Sequence, residues 1–455
     1  MIPDIAFDAL STVLEGRVTR SKSDLDVHGR SETWFPPTPP DAVAYPETTQ
    51  EVSAMMKVCY AHDIPVVAWG AGTSLEGQTL AIHGGLVVDF SRMNRVLQVN
   101  DADMDCRVQP GVTREQLNTD LRATGLMFPV DPGANASIGG MAMTRASGTT
   151  AVRYGTMRDN VIGLSVVLAD GTIIETGSRA RKSSAGYDLT ALFVGSEGTL
   201  GLVTELSLRL YGQPEAISAA VCAFDDLDAA VNAVIATIQY GLPMARIEFL
   251  DVVSVQAVNA YSGANFPARP HLFVEFHGSQ VSVADQVETF GDIVRDFGGS
   301  DFEWASKTEE RNALWTMRHN AYYACLALKP GCKAVVTDIC VPISKLAQAV
   351  AETAADIAAS PLDGPILGHV GDGNFHAILL IEDTNDADLR EAKRLAGRMA
   401  ERALAMGGTI TGEHGIGMGK RGLMQAEHGA AWTVMGALKS AMDPRNLMNP
   451  GKLVP

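Results

Sequence analysis

The chain has 455 residues, of which 46% are hydrophobic, enough for a large core and, by length, about two to four domains or subdomains. Its 36 basic and 53 acidic side chains give a formal net charge of −17, and no block of basic residues stands out. This balance disfavours nucleic acid as a partner.

The sequence carries no signal for membrane insertion or export. No stretch approaches the roughly 20 apolar residues that span a bilayer, and the N-terminus lacks the basic and apolar regions of a signal peptide. We therefore expect a cytoplasmic protein, with peripheral attachment to the inner membrane left open. The six cysteines form no Cys-x-x-Cys pair, so they are interpreted as reduced, mostly buried thiols.

The pattern of predicted secondary structure changes near the middle of the sequence. Up to about residue 213, short strand-like runs alternate with glycine-rich loops and helical segments. Thr48 and Glu51 have the spacing of a capping box, and Asp170-Gly171 predicts a β-hairpin. From residue 214 the strands and amphipathic helices are longer, which is typical of an antiparallel sheet covered on one side by helices. The whole pattern predicts an α+β or α/β protein.

Three glycine-rich runs, at residues 69–78, 130–160 and 192–205, mark the first half of the chain. None contains G-x-G-x-x-G or a Gly-Lys-Ser/Thr P-loop, so the usual dinucleotide and nucleoside-triphosphate fingerprints are absent. Because a glycine inside a regular element weakens it, three such runs are hard to explain as turns alone. They indicate a long, extended ligand lying against the main chain.

A second motif, in residues 364–381, sets Asp372-Gly373 between two apolar runs that each contain a histidine. A two-residue turn there would pair His369 directly with His376, with β-carbons roughly 5 Å apart. Two such imidazoles can converge on one metal ion or can form a satisfied, half-buried pair.

A third metal ligand is available in a glycine-rich loop further along the chain. Glu413 and His414 lie in this loop, where both side chains can turn inward. The carboxylate would complete a His, His, Glu set that leaves positions open for a substrate. This ligand set suits zinc, manganese or ferrous iron.

The three glycine-rich runs resemble the FAD-binding domain of the vanillyl-alcohol oxidase and p-cresol methylhydroxylase (PCMH) superfamily, and the second half resembles its FAD-oxidase C-terminal domain. Almost end to end, the chain is similar to the FAD-dependent D-2-hydroxyacid dehydrogenases, a group with D-lactate, D-2-hydroxyglutarate and glycolate-oxidising members. The resemblance implies an α+β protein with a PCMH-type FAD domain over residues 1–213. A cap domain over 214–420 would carry the metal and substrate groups, and a C-terminal segment, 421–455, would return to the FAD domain.

The resemblance also implies which residues bind FAD. The first run would hold the pyrophosphate, the second would line the ribityl and flavin region, and the third would line the adenosine side. The first run contains no histidine for a covalent link, so a non-covalent flavin is expected. The residues implied are Gly70, Ala71, Gly72, Thr73, Ser74, Leu75, Pro132, Gly133, Ser137, Gly139, Gly140, Ser147, Gly148, Glu197, Gly198, Gly201, Val203 and Asn449.

The family's metal motifs map onto His369, His376 and Glu413, and the family uses zinc or manganese. Oxidation of a 2-hydroxy acid requires loss of the hydroxyl proton and hydride transfer to flavin N5, and a chelating divalent ion would lower the hydroxyl pKa. His414 is the expected base, because a neutral imidazole accepts protons near pH 7. A structural hydrogen bond to the flavin is the alternative role for His414.

Residues 309–324 are predicted to form one helix, with Trp315, Arg318 and Tyr322 on one face. Arginine binds carboxylates bidentately, and the resembling families place an arginine after a tryptophan here, so Arg318 is the expected carboxylate ligand. Lys333, at another position matched to the family, would neutralise the same carboxylate. Trp315 and Tyr322 complete this side of the expected substrate site.

The predicted hairpin bears on the choice of substrate. Leu367 and Ile378 would share the face of the two histidines, giving an apolar wall. In hydroxyglutarate dehydrogenases the position of Ile378 is typically asparagine and that of Tyr322 typically threonine. Both departures disfavour a substrate with a second carboxylate. They favour D-lactate or another 2-hydroxy acid with an apolar tail.

We therefore expect oxidation of a D-2-hydroxy acid, foremost D-lactate to pyruvate, dependent on FAD and a divalent metal ion. Electrons would pass to a quinone, a cytochrome or an electron-transfer flavoprotein rather than to a nicotinamide, and the acidic surface could attract a basic electron carrier. A glycolate oxidase flavin subunit and a D-2-hydroxyglutarate dehydrogenase stay open. So does a metal-dependent hydrolase with purely structural glycine loops. A monomer and a homodimer are both compatible with the sequence.

Overall fold

The computed structural model describes residues 1–305, 307–382 and 385–454. Its contacts divide the chain into two compact units. The first comprises Met1–Ser147, Gly155–Gln213 and Glu413–Pro455, and the second comprises Gly148–Tyr154 and Pro214–Gly412. The change near residue 213 therefore coincides with a unit boundary, and the chain re-enters the first unit at Glu413, earlier than the expected residue 421.

Two main sheets organise the first unit. Its strands are β1 (Val18–Thr19), β2 (Ala42–Ala44), β3 (Val66–Trp69), β4 (Leu86–Asp89), β5 (Val96–Asn100), β6 (Asp105–Val108), β7 (Leu126–Met127), β8 (Val161–Val167), β9 (Ile173–Gly177), β10 (Leu202–Arg209) and β11 (Tyr211–Gly212). One sheet has the order β1-β2-β4-β3, in which the last three strands run parallel. The other is antiparallel, with the order β5-β6-β10-β8-β9, and β7 pairs with β11. The hairpin predicted around Asp170-Gly171 is confirmed as the β8-β9 connection.

Short helices connect these strands. They span Asp4–Val13, Lys22–His28, Thr49–Ala61, Arg114–Asp120, Ile138–Thr144, Met157–Asn160, Leu189–Phe193, Met424–His428 and Ala430–Met442. The capping box predicted at Thr48 forms only in half. The Thr48 hydroxyl accepts a hydrogen bond from the Glu51 amide, but the Glu51 carboxylate pairs with Arg17 at 2.8 Å. The same carboxylate also accepts from the Glu47 amide at 2.8 Å, one residue before the Thr48 amide that a full capping box would use.

The second unit is built on one antiparallel sheet. Its strands are β12 (Ala216–Ala223), β13 (Met244–Leu250), β14 (His271–Gly278), β15 (Ser300–Ala305), β16 (Cys332–Val336), β17 (Ile339–Cys340), β18 (Ile366–Gly368) and β19 (Asn374–Glu382). The order is β15-β12-β14-β13-β18-β19-β16, and β17 also pairs with β19. The expected α+β fold with an antiparallel sheet is confirmed.

Helices cover this sheet on both faces, where the sequence predicted one. They span Ala151–Tyr154, Leu227–Tyr240, Val252–Ser262, Gln280–Asp296, Thr308–His319, Ala321–Ala327, Leu346–Ala358 and Asp386–Ala405. Phe276 on β14 packs edge-on against Phe290 of the 280–296 helix. Phe273, of opposite parity on the same strand, packs instead in a cluster with Ala257 and Ala321.

The helix predicted over residues 309–324 is two helices. The first ends at His319 and the second begins at Ala321, with Asn320 as the cap between them. The Asn320 amide donates to the Thr316 and Arg318 carbonyls and closes the first helix, and its side chain makes no capping hydrogen bond to the second. Trp315 and Arg318 therefore share a helix, but Tyr322 lies on the next one.

The β18-β19 hairpin has a different register from the predicted one. Leu367, not His369, lies opposite His376. The connection includes a 3-10 turn, Val370–Asp372, followed by Gly373 in the left-handed conformation (φ +78°). Only glycine fits at position 373 in this longer turn, because a β-carbon there would clash with the Val341 carbonyl. Since the register moves by two residues, Leu367 and Ile378 keep the face of His376.

No helix in the described ranges is long and apolar enough to cross a membrane. All six cysteines are free thiols, as expected, and four of them are buried: Cys59, Cys106, Cys222 and Cys325.

Candidate functional site

The first two glycine-rich runs meet in the first unit. Gly70 follows directly after β3, and a β-carbon at Gly70 would clash with the Ser137 hydroxyl. Ser137 caps the helix that starts at Ile138, and its hydroxyl accepts from the Gly140 amide at 3.3 Å. Backbone approach of this kind requires glycine. Residues 72–75 are only partly buried, so the main chain of the loop stays accessible to a ligand.

The third glycine-rich run contacts the second run and lies close to the strand that leads into the first. The Glu197 amide donates to the Met143 carbonyl at 2.9 Å, which ties the third run to the second. A β-carbon at Gly198 would lie 3.8 Å from that of Ala68, on the strand that leads into the first loop. Glu197 and Gly198 both have positive φ (+54° and +71°). The three runs therefore converge, as an extended ligand against the main chain would need.

The segment that re-enters the first unit at Glu413 is bound to this loop cluster. The buried Glu197 carboxylate accepts from the amides of Ile416 at 2.6 Å and Gly417 at 2.8 Å. Gln78, at the end of the first loop, donates to the His414 carbonyl at 2.7 Å. Burial raises the pKa of Glu197 to about 7, against the opposing effect of the two amides.

Asn449 connects the C-terminal tail to two of the loops. Its side-chain amide donates to the carbonyls of Gln78 at 3.0 Å and Glu197 at 2.7 Å, and its oxygen accepts from Lys452 at 3.3 Å. Lys452 also donates to the Leu80 carbonyl, and burial lowers its pKa to about 8. The side chain expected to touch the flavin thus holds the loops together.

Five other expected flavin residues lie in three different settings. Gly201 and Val203 pack inside the first unit: a β-carbon at Gly201 would lie 2.6 Å from a Val166 methyl carbon, and Val203 is part of the core. Open space surrounds Gly133. Ser147 is buried at the end of a segment of the first unit, and Gly148 begins the part assigned to the second.

The two histidines lie close together in the second unit. The ring centroids of His369 and His376 are 5.6 Å apart, with the ring planes at 84°. His369 Nδ1 lies 2.8 Å from a Glu248 carboxylate oxygen, and His376 Nδ1 lies 3.0 Å from the Thr337 carbonyl. Partners of this kind on Nδ1 orient imidazoles so that Nε2 can bind a metal.

The last residues of the second unit are held beside His376. The Thr411 hydroxyl donates to Asp338 at 2.7 Å, and the Asp338 carboxylate also lies 3.6 Å from His376 Nδ1. A β-carbon at Gly412 would clash with Asn374, which donates to Asp338 at 2.8 Å. Glu413 is the next residue in the chain.

Arg318 is buried in the second unit, with 5% of its surface exposed. Its Nη2 donates to Glu248 at 2.5 Å, so Arg318 and His369 share one carboxylate. The Arg318 Nε is buried and has no hydrogen-bond partner in the described part of the chain. An orphaned guanidinium edge of this kind fits a carboxylate ligand.

An apolar wall lies on the face of the sheet that carries His376. Leu367, Ile378 and Trp315 are buried in one cluster, and Tyr322 packs against it. The Trp315 indole nitrogen donates to Glu275 at 2.5 Å, so its polar edge is used within the protein. Lys333, partly buried on β16, lies opposite Ile381 and therefore on the other face of the sheet from Ile378, which contradicts its predicted place beside the substrate.

Sequence reasoning missed a buried network of charged residues on β13 and β14. Glu275 lies 3.6 Å from Arg246 and 2.8 Å from His277, whose other ring nitrogen is 2.7 Å from the Tyr154 hydroxyl. Although burial acts to raise the pKa of Glu275, Arg246 and His277 hold it below its ordinary value. The signal was available, because "RIE" and "EFH" place charged residues at alternate positions of otherwise apolar strands.

Converging glycine-rich runs in one unit, with a histidine pair at an antiparallel sheet and a buried arginine in the other, fit the class of two-domain flavin oxidoreductases. Residues 40–177 match the family model described as FAD binding domain, and residues 213–453 match FAD linked oxidases, C-terminal domain. The chain therefore belongs to the FAD-linked oxidases, and FAD is its cofactor. The hydrolase alternative is thereby set aside.

Relatives cover most of the chain. It is 52% identical over 431 residues to "Probable D-lactate dehydrogenase, mitochondrial" of Danio rerio, covering 94% of this chain and 87% of that protein. It is 43% identical over 457 residues to the mitochondrial D-lactate dehydrogenase (cytochrome) of Arabidopsis thaliana, covering 100% and 81%. "Glycolate oxidase subunit GlcD" of Bacillus subtilis is 37% identical over 420 residues, covering 91% and 89%.

A solved structure supports the same fold. That of p-cresol methylhydroxylase with substrate bound aligns with a TM-score of 0.82 at 16% identity, covering 99% of this chain and 96% of the other. The expected PCMH-type fold is thus confirmed.

Asn449 and Asn446 allow a matched test of the tail. Both have left-handed backbones (φ +40° and +51°), but Asn446 is exposed. Asn446→Ala should cost about 1–2 kcal/mol through the backbone alone. Asn449→Ala should cost about 1–3 kcal/mol more, because buried carbonyls lose their donors, and should release FAD on gel filtration. Equal unfolding midpoints and equal flavin retention in the two variants would contradict the role given to Asn449.

The raised pKa of Glu197 predicts a pH dependence of stability. Between its ordinary value of 4.5 and about 7, the folded chain binds more protons at this site than the unfolded chain. The stability of wild type relative to Glu197→Gln should therefore fall as pH rises through this window, by about 3 kcal/mol in total. Unfolding of both proteins from pH 5 to 8 measures this difference, and a constant value would refute the prediction.

Proposed function

We propose that this chain oxidises D-lactate to pyruvate with FAD and a divalent metal ion. The observation that carries the proposal is the arrangement in the second unit, where buried Arg318 and His369 share the Glu248 carboxylate on the sheet face that bears the apolar wall. Similarity to proteins named D-lactate dehydrogenase supports the choice of substrate.

The surroundings of Arg318 suit a small 2-hydroxy acid. Its buried Nε would donate to the substrate carboxylate, and desolvation would strengthen that bond. The wall of Leu367 and Ile378 would receive the methyl group of lactate. A second carboxylate would be desolvated there without a partner, which is unfavourable. Tyr322 is proposed to complete the substrate site, but Lys333 is not, because its register places it on the other face of the sheet.

His369, His376 and Glu413 are the proposed metal ligands. Nδ1 of each histidine contacts a protein oxygen, and the backbone just before Glu413 is held beside His376. Zinc and manganese both accept two imidazoles and a carboxylate. When bound, the ion supplies positive charge that lowers the pKa of the substrate hydroxyl.

His414 is the proposed base that takes the hydroxyl proton. It follows the proposed ligand Glu413 directly, and the bond from Gln78 to its carbonyl holds the backbone of this loop. FAD, which accepts the hydride when bound, is proposed to be non-covalent because residues 69–78 contain no histidine. A quinone, a cytochrome or an electron-transfer flavoprotein is the proposed electron acceptor.

The visible spectrum of the purified chain tests the proposal directly. Under anaerobic conditions, D-lactate should bleach the flavin band near ~450 nm, and prior treatment with a chelator should prevent this. L-lactate, glycolate and D-2-hydroxyglutarate are the parallel additions. Bleaching by another acid alone would reject D-lactate as the substrate. Bleaching that survives complete metal removal would reject the dependence on a metal ion. A colourless protein would contradict the flavin assignment itself.

His414→Ala should separate the proposed base from a structural role. Loss of a general base lowers kcat by about 100-fold or more, whereas flavin and metal content should stay at wild-type levels. His428→Ala is the matched control, since His428 lies on a helix of the same returning segment and has no proposed role. Near-normal kcat in His414→Ala would exclude it as the base.

A further inference from the structure

Glu248 is a buried carboxylate with no role assigned so far, and its side chain is 1% exposed. It lies on β13 and contacts two groups of the proposed site: His369 Nδ1, at 2.8 and 2.9 Å from its two oxygens, and Arg318 Nη2, at 2.5 Å. We infer that Glu248 is the positioning residue that sets both the metal-binding tautomer of His369 and the orientation of Arg318. This inference rests on the proposed function.

The contact with His369 determines which ring nitrogen carries the proton. A carboxylate is an acceptor only, so it stabilises the tautomer with hydrogen on Nδ1. That tautomer has its lone pair on Nε2, the atom that would face an ion. The ring is also fixed in rotation, because Nδ1 contacts both carboxylate oxygens.

The contact with Arg318 determines which edge of the guanidinium remains for substrate. Glu248 accepts from Nη2, whereas the buried Nε has no hydrogen-bond partner in the described ranges. Because the guanidinium is planar, fixing Nη2 also fixes the direction of the Nε–H bond. One carboxylate thus sets the positions of the groups proposed for metal and for substrate carboxylate.

The pairing also explains why a carboxylate can remain inside this sheet. A buried charge without a partner is strongly unfavourable, and Arg318 supplies the opposite charge. Glu275 on the neighbouring strand is similarly buried but pairs with Arg246, His277 and Trp315. It therefore provides a matched control with the same chemistry and a comparable desolvation cost.

The affinity for Mn²⁺ tests the positioning role of Glu248. If Glu248 only stabilised the fold, its replacement would not lower this affinity more than replacement of Glu275. Glu248→Gln places an N–H group against His369 Nδ1 and so favours the tautomer with hydrogen on Nε2. We expect the affinity of the FAD-loaded protein for Mn²⁺, measured by the EPR signal of the free ion, to fall about 10–100-fold. Glu248→Asp, which restores both acceptor oxygens, should recover most of it. Glu275→Gln should stay within about 3-fold of wild type.

The outcomes separate this inference from the proposed function. Wild-type affinity in Glu248→Gln, or an equal loss in Glu275→Gln, would overturn the positioning role even if D-lactate is the substrate. If the wild type binds no Mn²⁺ and no Zn²⁺ in competition, the metal part of the proposed function fails, and the role of Glu248 fails with it. A selective loss in Glu248→Gln, in a protein that oxidises a different acid, would uphold the inference and reject the substrate.

Discussion

Burial of the Glu248 carboxylate is the constraint on which the candidate site in the second unit depends. A charge in the interior must be matched by an opposite charge and by donors aimed at its oxygens. Arg318 and His369 meet that demand, and they come from a helix and from the end of a strand that are far apart in the chain. The contacts that compensate the Glu248 charge are therefore the same contacts that orient Arg318 and His369.

The first unit meets a different demand, the close approach of main-chain segments. Its three glycine-rich runs contribute few side chains at their meeting point, so their positions depend on hydrogen bonds to backbone groups. Asn449 and Lys452 supply such bonds from the C-terminal tail, and the backbone amides of Ile416 and Gly417 bind the Glu197 carboxylate. The loops can thus stay accessible to a cofactor and still be held in place.

The sequence was sufficient for features that depend on local patterns. The glycine-rich runs indicated an extended ligand, and family resemblance extended this to FAD and the fold. Features that depend on distant contacts were missed. The hairpin turn packs at Gly373 against the distant Val341 backbone, and the helix break at Asn320 lies inside a regular periodic pattern. The alternating pattern of β13 marks Glu248 as a charged residue in an apolar strand, but its pairing with Arg318, 70 residues away, could not be predicted from that pattern.

The first unit is built from segments at both ends of the chain, so it can be completed only after the last segment has been synthesised. Glu197 is bonded to Ile416, 219 positions later, and Asn449 supplies donors to loops made much earlier. During translation the glycine-rich runs would therefore wait, incompletely bonded, until the entire second unit had been made. Capture of the flavin in its final setting should thus be among the last events in the biogenesis of this protein.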